Sequence, residues 1–237
     1  MGNLLNYIQF IKKESKKFHR SSFWGLLKYY TQWKNSFNNN DVISEIPWMN
    51  YGAIDFLKAH TRADMHIFEY GSGRSTLFWA NRVKEVISIE HDAEWSKNVQ
   101  KQLDNKRLSN VQLLLIVPEK KEFIDKKDIA DPHQYSTDDE MWGSFSFEKY
   151  VLKINEYPDN YFDFVVVDGR ARPSCIAASA NKIKVGGYMV VDNSERAYYF
   201  LKNGQSLPLN HWKRIDFCGP VPGLNHFHET SFFKKIK

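Results

Sequence analysis

Cysteine is scarce in this chain of 237 residues, with only Cys175 and Cys218 present. Two cysteines cannot make a disulfide framework, and no Cys/His cluster has zinc-ligand spacing, so neither cross-links nor structural zinc is expected. Long hydrophobic runs are missing too: no stretch approaches the roughly 20 apolar residues of a membrane span. The N-terminus lacks both the apolar core and the small-residue cleavage site of a secretory signal. Internal repeats and long low-complexity tracts are absent as well. These absences leave a soluble, cytoplasmic protein as the expectation. At 42% hydrophobic and 15% aromatic residues, the chain can bury one ordinary core, which excludes global disorder.

Positive charge is in excess, with 33 Lys and Arg against 28 Asp and Glu for a formal +5. Taken whole, that balance points to an anionic partner. Its distribution changes the reading. Residues 1–40 hold Lys12, Lys13, Lys16, Lys17, Arg20, Lys28 and Lys34 against the single acid Glu14, a balance of +6. The remainder carries 26 basic and 27 acidic residues, a net of −1, which gives no electrostatic reason to expect nucleic acid as substrate.

The basic segment is also aromatic, with nine Phe, Trp and Tyr in forty residues. Leu4, Ile8 and Ile11, then Phe23, Leu26, Leu27, Tyr30, Trp33 and Phe37, recur at spacings of three and four and predict two amphipathic helices. Ser21 or Ser22 is placed to cap the second. Such a helical extension suits packing on the body or on a sister subunit in a homo-oligomer, peripheral contact with a membrane surface, or nucleic acid. Asn38, Asn39, Asn40 and Asp41 read as the linker out of it, dividing the chain into an extension (1–40) and a body (41–237).

From Ile43 onward short apolar runs alternate with amphipathic stretches, the pattern of a parallel sheet covered by helices. Strands are predicted at His66–Tyr70, Glu85–Glu90, Val111–Val117, Phe162–Val167, Gly187–Val191, His211–Phe217 and Ser231–Lys235. Helices are predicted over Tyr51–His60, from near Ser75, and over Ala93–Leu103, Cys175–Ala180 and Ser194–Leu201. Pro118–Asn160 is too long for a simple connection and reads as an inserted lid or substrate loop, helical over Ser146–Ile154. A Gly/Pro-rich loop, Cys218–His228, joins the last two strands.

The informative segment is Glu69-Tyr70-Gly71-Ser72-Gly73-Arg74-Ser75-Thr76. A strand runs into Gly-x-Gly and directly into a helix, so a tight turn brings the backbone and the unpaired helix-start amides close to a ligand. A dinucleotide site would share that feature. Two details argue against one: Thr76 replaces the third glycine, and Glu69, two residues before Gly71, would repel pyrophosphate but accept the ammonium of an amino-acid-like ligand. The next predicted strand ends in Glu90, seventeen residues after Gly73. An acid at that tip can accept hydrogen bonds from both hydroxyls of a ribose.

With these residues in place the chain resembles the class I S-adenosylmethionine-dependent methyltransferases. Glu69-x-Gly71-x-Gly73 matches their first motif, Glu90 their ribose acid, and the element order from Tyr51 to Lys235 their sheet. The resemblance implies a Rossmann-like α/β fold, a doubly wound seven-stranded mostly parallel sheet with an antiparallel last strand. It further implies S-adenosyl-L-methionine as cofactor, contacted by Glu69, Gly71, Ser72, Gly73 and Glu90, with His91 against adenine. Ser75 and Thr76 are candidates either as ligands or as helix-start residues. Tyr51 and Trp95 are candidate walls, and Glu119 is the acid nearest the place where the family often binds adenine after its third strand.

Two further strands end in polar residues at their carboxyl tips: Phe164-Val165-Val166-Val167 in Asp168-Gly169-Arg170-Ala171-Arg172, and Tyr188-Met189-Val190-Val191 in Asp192-Asn193. Two carboxylates and an amide oxygen converging there would make a hard oxygen site suited to Mg²⁺. Here the chain is similar to the catechol branch and to the metal-dependent sugar and macrolide O-methyltransferases, which implies Asp168, Asp192 and Asn193 as ligands. The alternative is that these are strand-end residues that hold loops without metal. The catechol branch has a lysine three residues after its first metal acid, where this chain has Ala171. A base must then come from elsewhere, and His226 or His228 in the last loop are the candidates. Arg170 and Arg172 stay cationic and suit an anionic substrate. Asp168, Arg170 and His226 are therefore the expected catalytic residues. His133, Tyr135, Trp142, His226 and His228 are pocket candidates.

The expected activity is O-methylation of a small-molecule or glycan hydroxyl, assisted by a divalent metal if the second site holds one. A protein or nucleic-acid methyltransferase, and a non-catalytic scaffold that binds a partner or membrane through its N-terminal helices, are the competing expectations.

Overall fold

Strand residues alternate between two apolar faces, which is how short runs such as Phe164–Val167 come to be buried on both sides of a sheet. Ile67, Phe164, Val166, Val190 and Phe232 join one core, and Phe68, Tyr70, Val165, Val167, Met189, Val191 and Phe233 join the other. The computed structural model describes residues 3–18, 23–37, 45–121, 128–202, 205–206 and 211–237. Its main sheet has seven strands: β1 (His66–Tyr70), β2 (Glu85–Glu90), β3 (Val111–Leu115), β4 (Phe162–Val167), β5 (Ile183–Asp192), β6 (Trp212–Pro220) and β7 (Phe227–Lys235).

Their spatial order is β6-β7-β5-β4-β1-β2-β3. Neighbours from β3 to β5 pair in parallel, and β7 runs antiparallel to both β5 and β6. The expected doubly wound, mostly parallel sheet with its antiparallel last strand is present. The strand order reverses between β1 and β4, so the loops leaving those two strands diverge and open a crevice at their carboxyl ends.

The first core face is covered by α1 (Leu4–Ser15), α2 (Phe23–Leu27), α3 (Tyr30–Ser36), α4 (Tyr51–His60) and part of α5 (Arg74–Ala80). The second is covered by α7 (Glu148–Leu152) and α8 (Arg172–Ser179), while α6 (Ala93–Asn105) packs Val99 and Leu103 on Leu77 and Ala80 of α5. Asparagine and aspartate start several of these helices. Asn50 Oδ1 accepts the Ala53 amide and its Nδ2 donates to Phe217 O and Thr230 Oγ1, so one side chain caps α4 and pins it to the sheet edge.

The N-terminal helices belong to the same core as the sheet: Tyr7, Ile11 and Trp33 are buried with Met49, Tyr51 and Phe227. The second expected helix is two helices, because Tyr29 turns out of line to donate to Asp55 Oδ2 at 2.9 Å and to stack on Tyr51. Arg20, Ser21, Ser22 and the expected linker Asn38–Asp41 lie outside the described residues.

Three other expectations change. The Ser194–Leu201 stretch is a single 3₁₀ turn over Ala197–Phe200, since Asn193 takes φ 51° and the Ser194 amide and hydroxyl both bond Glu229 on β7. The last two strands run further than their apolar pattern, with Pro220 paired to Phe227, leaving Val221–His226 as the loop. Within the insertion, Glu119–Lys120 pairs antiparallel with Phe145–Ser146, and its helical run starts two residues later than expected, as α7 followed directly by a 3₁₀ turn over Lys153–Glu156. Among the described residues no helix is long and apolar enough to cross a membrane.

Candidate active site

At the end of β1 the chain turns through Gly71 at φ 92°, a conformation that L side chains avoid. A Cβ at Gly71 would meet the Gly169 backbone at 2.9 Å, so the loops after β1 and β4 touch through two glycines. Glu69 lies beneath this turn rather than in front of it. Its Oε2 accepts from Thr76 Oγ1 at 2.5 Å and from Ser88 Oγ at 2.8 Å, and Thr76 Oγ1 accepts the Gly73 amide at 2.9 Å. The threonine at the third-glycine position thus ties the loop to α5 and, through Glu69, to β2. Burial pushes the Glu69 carboxyl up to about 7 against the pull of these hydroxyls.

Glu90 ends β2 on the wall of a cavity of about 680 Å³. Its Oε2 accepts the Ser72 amide at 3.0 Å and the Ser72 hydroxyl at 2.9 Å, and its Oε1 accepts the amides of His91 and Asp92. His91 Nδ1 lies 2.8 Å from Oε1, close in charge terms but not aligned as a hydrogen bond. Burial raises this carboxyl, and the His91 ring, the Asp92 amide and Ser72 outweigh it, so Glu90 lies below the usual carboxylate range.

Of the expected cofactor residues, Gly71, Ser72, Gly73, Ser75, Glu90 and His91 line this cavity, whereas Glu69 and Thr76 are buried under it. Trp95 walls it and donates its indole N–H to Ser72 O. Tyr51 does not line the cavity; it lies in the core against Tyr29. Glu119 is exposed and paired with Lys149.

The cavity continues to Asp168 and Arg170 after β4 and is closed on the insertion side by Asp139, Met141 and Trp142. The Trp142 ring meets His91 edge-on at 5.2 Å. Arg170 pairs with Asp139 at 2.8 Å, joining the β4 loop to the insertion. Trp48, Arg74 and Asp139 are cavity residues that sequence reasoning missed. Arg74 directly follows the glycine loop and was the one local signal available; its guanidinium lies 5.1 Å over Trp48, and among the described residues no carboxylate pairs with it.

The expected metal ligands are arranged around a side chain instead. Arg172 donates Nε to Gly169 O, Nη2 to Asp168 O and Oδ1, and Nη1 to Asp192 O and Asn193 Oδ1. The Asp192 carboxyl is taken by Thr230 at 2.6 Å and is buried outside the cavity. Burial and the neighbouring Asp168 charge raise it well above the ordinary range. The donor set therefore does not fit Mg²⁺, because a guanidinium already bridges the two strand ends; among the described residues no His/Cys/Asp/Glu group has metal-site geometry either. With its donors spent on the protein, Arg172 is also unavailable for an anionic substrate.

The expected base His226 is exposed in the last loop and does not line the cavity. Its ring lies 4.8 Å from His228, which is half-buried and held down to about 4 by burial and by His226, Arg172 and Arg196.

No family model and no curated protein sequence matches the chain. Solved structures do. An rRNA methylase from Streptococcus thermophilus superposes with a TM-score of 0.51 at 10% identity, covering 77% of this chain and 93% of its own. A protein assigned as a methyltransferase from Streptococcus mutans, solved in complex with SAH, gives 0.51 at 14% identity over 76% and 94%. One assigned as an O-methyltransferase from Klebsiella pneumoniae gives 0.50 at 14% over 73% and 74%. Identities this low speak to architecture, and with the strand order above they show that this chain has the class I S-adenosylmethionine-dependent methyltransferase fold.

Proposed function

We propose that this chain is an S-adenosylmethionine-dependent methyltransferase acting on a hydroxyl of a small molecule or glycan. The observation that carries the reading is that Glu90 and Asp168 share one cavity, joined by a glycine loop that bonds Glu90 through Ser72 and packs on Asp168 and Gly169 through Gly71. The cavity volume lies within the range of small-molecule sites. Its chemistry suits the cofactor: an ionised acid for ribose hydroxyls at Glu90, a cation for a carboxylate at Arg74, unpaired among the described residues, and ring faces at Trp142 and His91.

Bound S-adenosylmethionine supplies an activated methyl group that leaves by in-line displacement, so the chain's own task is to position the nucleophile, take its proton and exclude water. Asp168 is the residue in the cavity for the proton. Burial raises its carboxyl above the ordinary range while Arg172 and Arg170 oppose the rise, which makes it a stronger proton acceptor than a free carboxylate. Its Oδ1 is tied to Arg172, leaving Oδ2 for the substrate hydroxyl. Met141 and Trp142 cover the site, and the residues after 40 carry a net charge of −1, without the basic excess that favours a polymer of phosphates, which supports a small acceptor.

Calorimetry with S-adenosylhomocysteine on the wild type and on Glu90→Ala tests the reading. Binding by the wild type and its loss in Glu90→Ala are expected. A wild type that fails to bind removes the enzyme, and binding that survives the substitution removes the site.

A further inference from the structure

One carboxylate, one amide oxygen and three main-chain carbonyls converge at adjacent strand tips, an array of acceptors that favours a positive charge between them. The fold brings Asp168 and Asn193 to within 3.1 and 3.2 Å of one guanidinium, whose five N–H donors meet five acceptors, three of them main-chain carbonyls from both tips. The Arg172 side chain is 11% exposed and its guanidinium lies 5.4 Å from the Tyr199 ring centre. Ala171, at φ 50°, turns the chain so that Arg172 starts α8 with its side chain directed back over the β4 and β5 ends.

We propose that Arg172 is a built-in cation that takes the place of a divalent metal ion at the β4 and β5 tips, and that it is the positioning residue for Asp168. Its fork fixes Oδ1 of Asp168 and the main chain on both sides of the tip, so the remaining carboxylate oxygen is aimed by a protein group rather than by an exchangeable ion. Mg²⁺ demands oxygen ligands at about 2.1 Å in near-octahedral array. An ion meeting that demand at Asp168 and Asn193 would have to expel a buried side chain of like charge. The cation function of Arg172 stands independently of the methyltransferase reading; only the use made of Asp168 rests on that reading.

The test is Mn²⁺ binding, followed by the free Mn²⁺ resonance and by calorimetry, on the full chain with and without S-adenosylhomocysteine. Wild type is expected to show no saturable Mn²⁺ binding and the same melting temperature in EDTA as in Mg²⁺. Arg172→Ala is expected to melt lower and to be raised again by free guanidinium or by Mn²⁺, because the vacated oxygens regain a cation. Arg172→Lys, which keeps the charge with fewer donors, is expected to bind no Mn²⁺ and to melt between the two. Saturable Mn²⁺ binding by wild type that disappears in Asp168→Asn overturns the proposal, as does an Arg172→Ala protein that responds to neither cation. If Arg172→Ala does not fold, the wild-type and Arg172→Lys measurements decide alone. Wild type that binds S-adenosylhomocysteine, and Mn²⁺ in a manner lost in Asp168→Asn, sinks this proposal only, whereas wild type that binds neither sinks the methyltransferase reading and leaves Arg172 as assigned.

Discussion

Thr76 donates its hydroxyl to the buried Glu69 carboxylate at 2.5 Å while accepting the Gly73 amide at 2.9 Å, so one oxygen closes the glycine loop from below. Thr76→Val keeps the shape and removes both bonds. Leaving a buried carboxylate and a loop amide short of a partner costs about 2 kcal/mol. For a chain of this size that lowers Tm by about 4–8 °C. Thr76→Ser retains the hydroxyl and is expected to stay close to wild type. Thermal melts of the two variants decide; a Val variant as stable as wild type would show that the bond carries nothing.

The same carboxylate makes stability depend on pH. Glu69 titrates near 7 in the folded chain because it is buried, against an ordinary value of 4.5. Between those values the native state holds a proton that the unfolded chain has released, so stability falls as pH rises through that window. Glu69→Gln has no such titration. The advantage of wild type over Glu69→Gln is therefore expected to shrink from pH 5 to pH 8 by up to about 3 kcal/mol. Urea denaturation of both proteins at three pH values measures it, and a difference that does not change with pH refutes the assignment.

Local patterns made the first half of the site legible. A strand running into Gly71-Ser72-Gly73 and a second strand ending in Glu90 are short-range signals, and both sit where the sequence puts them. Thr76 and Arg172 show where such signals stop. The value of Thr76 depends on the register that places Ser88 of β2 beside Glu69 of β1. Arg172 reads in sequence as a free cation near two acids, yet most of its acceptors are carbonyl oxygens, which no side-chain pattern encodes. The expected metal triad misled for a related reason: the pattern put three oxygens at two strand tips without showing that the Asp192 carboxyl turns toward Thr230 on an antiparallel neighbour.

The N-terminal helices provide a paired comparison. Trp33 is buried and donates its indole N–H to Leu224 O at 2.8 Å, while Trp24, nine residues earlier, is 78% exposed. Trp33→Ala is expected to cost about 3–5 kcal/mol through the cavity it leaves. Trp24→Ala is expected to stay within about 0.5 kcal/mol of wild type. Chemical denaturation of the two variants tests whether the aromatic extension is part of the body; equal effects would contradict its shared core with Met49 and Tyr51.

Arg170 and Asp139 span the gap between the β4 loop and the insertion, and both are partly exposed. An ion pair in that setting contributes only about 0.2–1 kcal/mol to stability, so neither Arg170→Ala nor Asp139→Asn should move the melting temperature appreciably. Their effect belongs to the ligand, because the pair holds Met141 and Trp142 across the cavity mouth. A loss of about 1 kcal/mol in that closure corresponds to roughly fivefold weaker S-adenosylhomocysteine binding, expected mainly as faster dissociation. Since one contact is removed in either variant, the double variant should bind no more weakly than each single one. Stopped-flow displacement on the three proteins measures this. Additive losses would mean that the two side chains touch the ligand separately, and unchanged dissociation would reduce the pair to a surface contact.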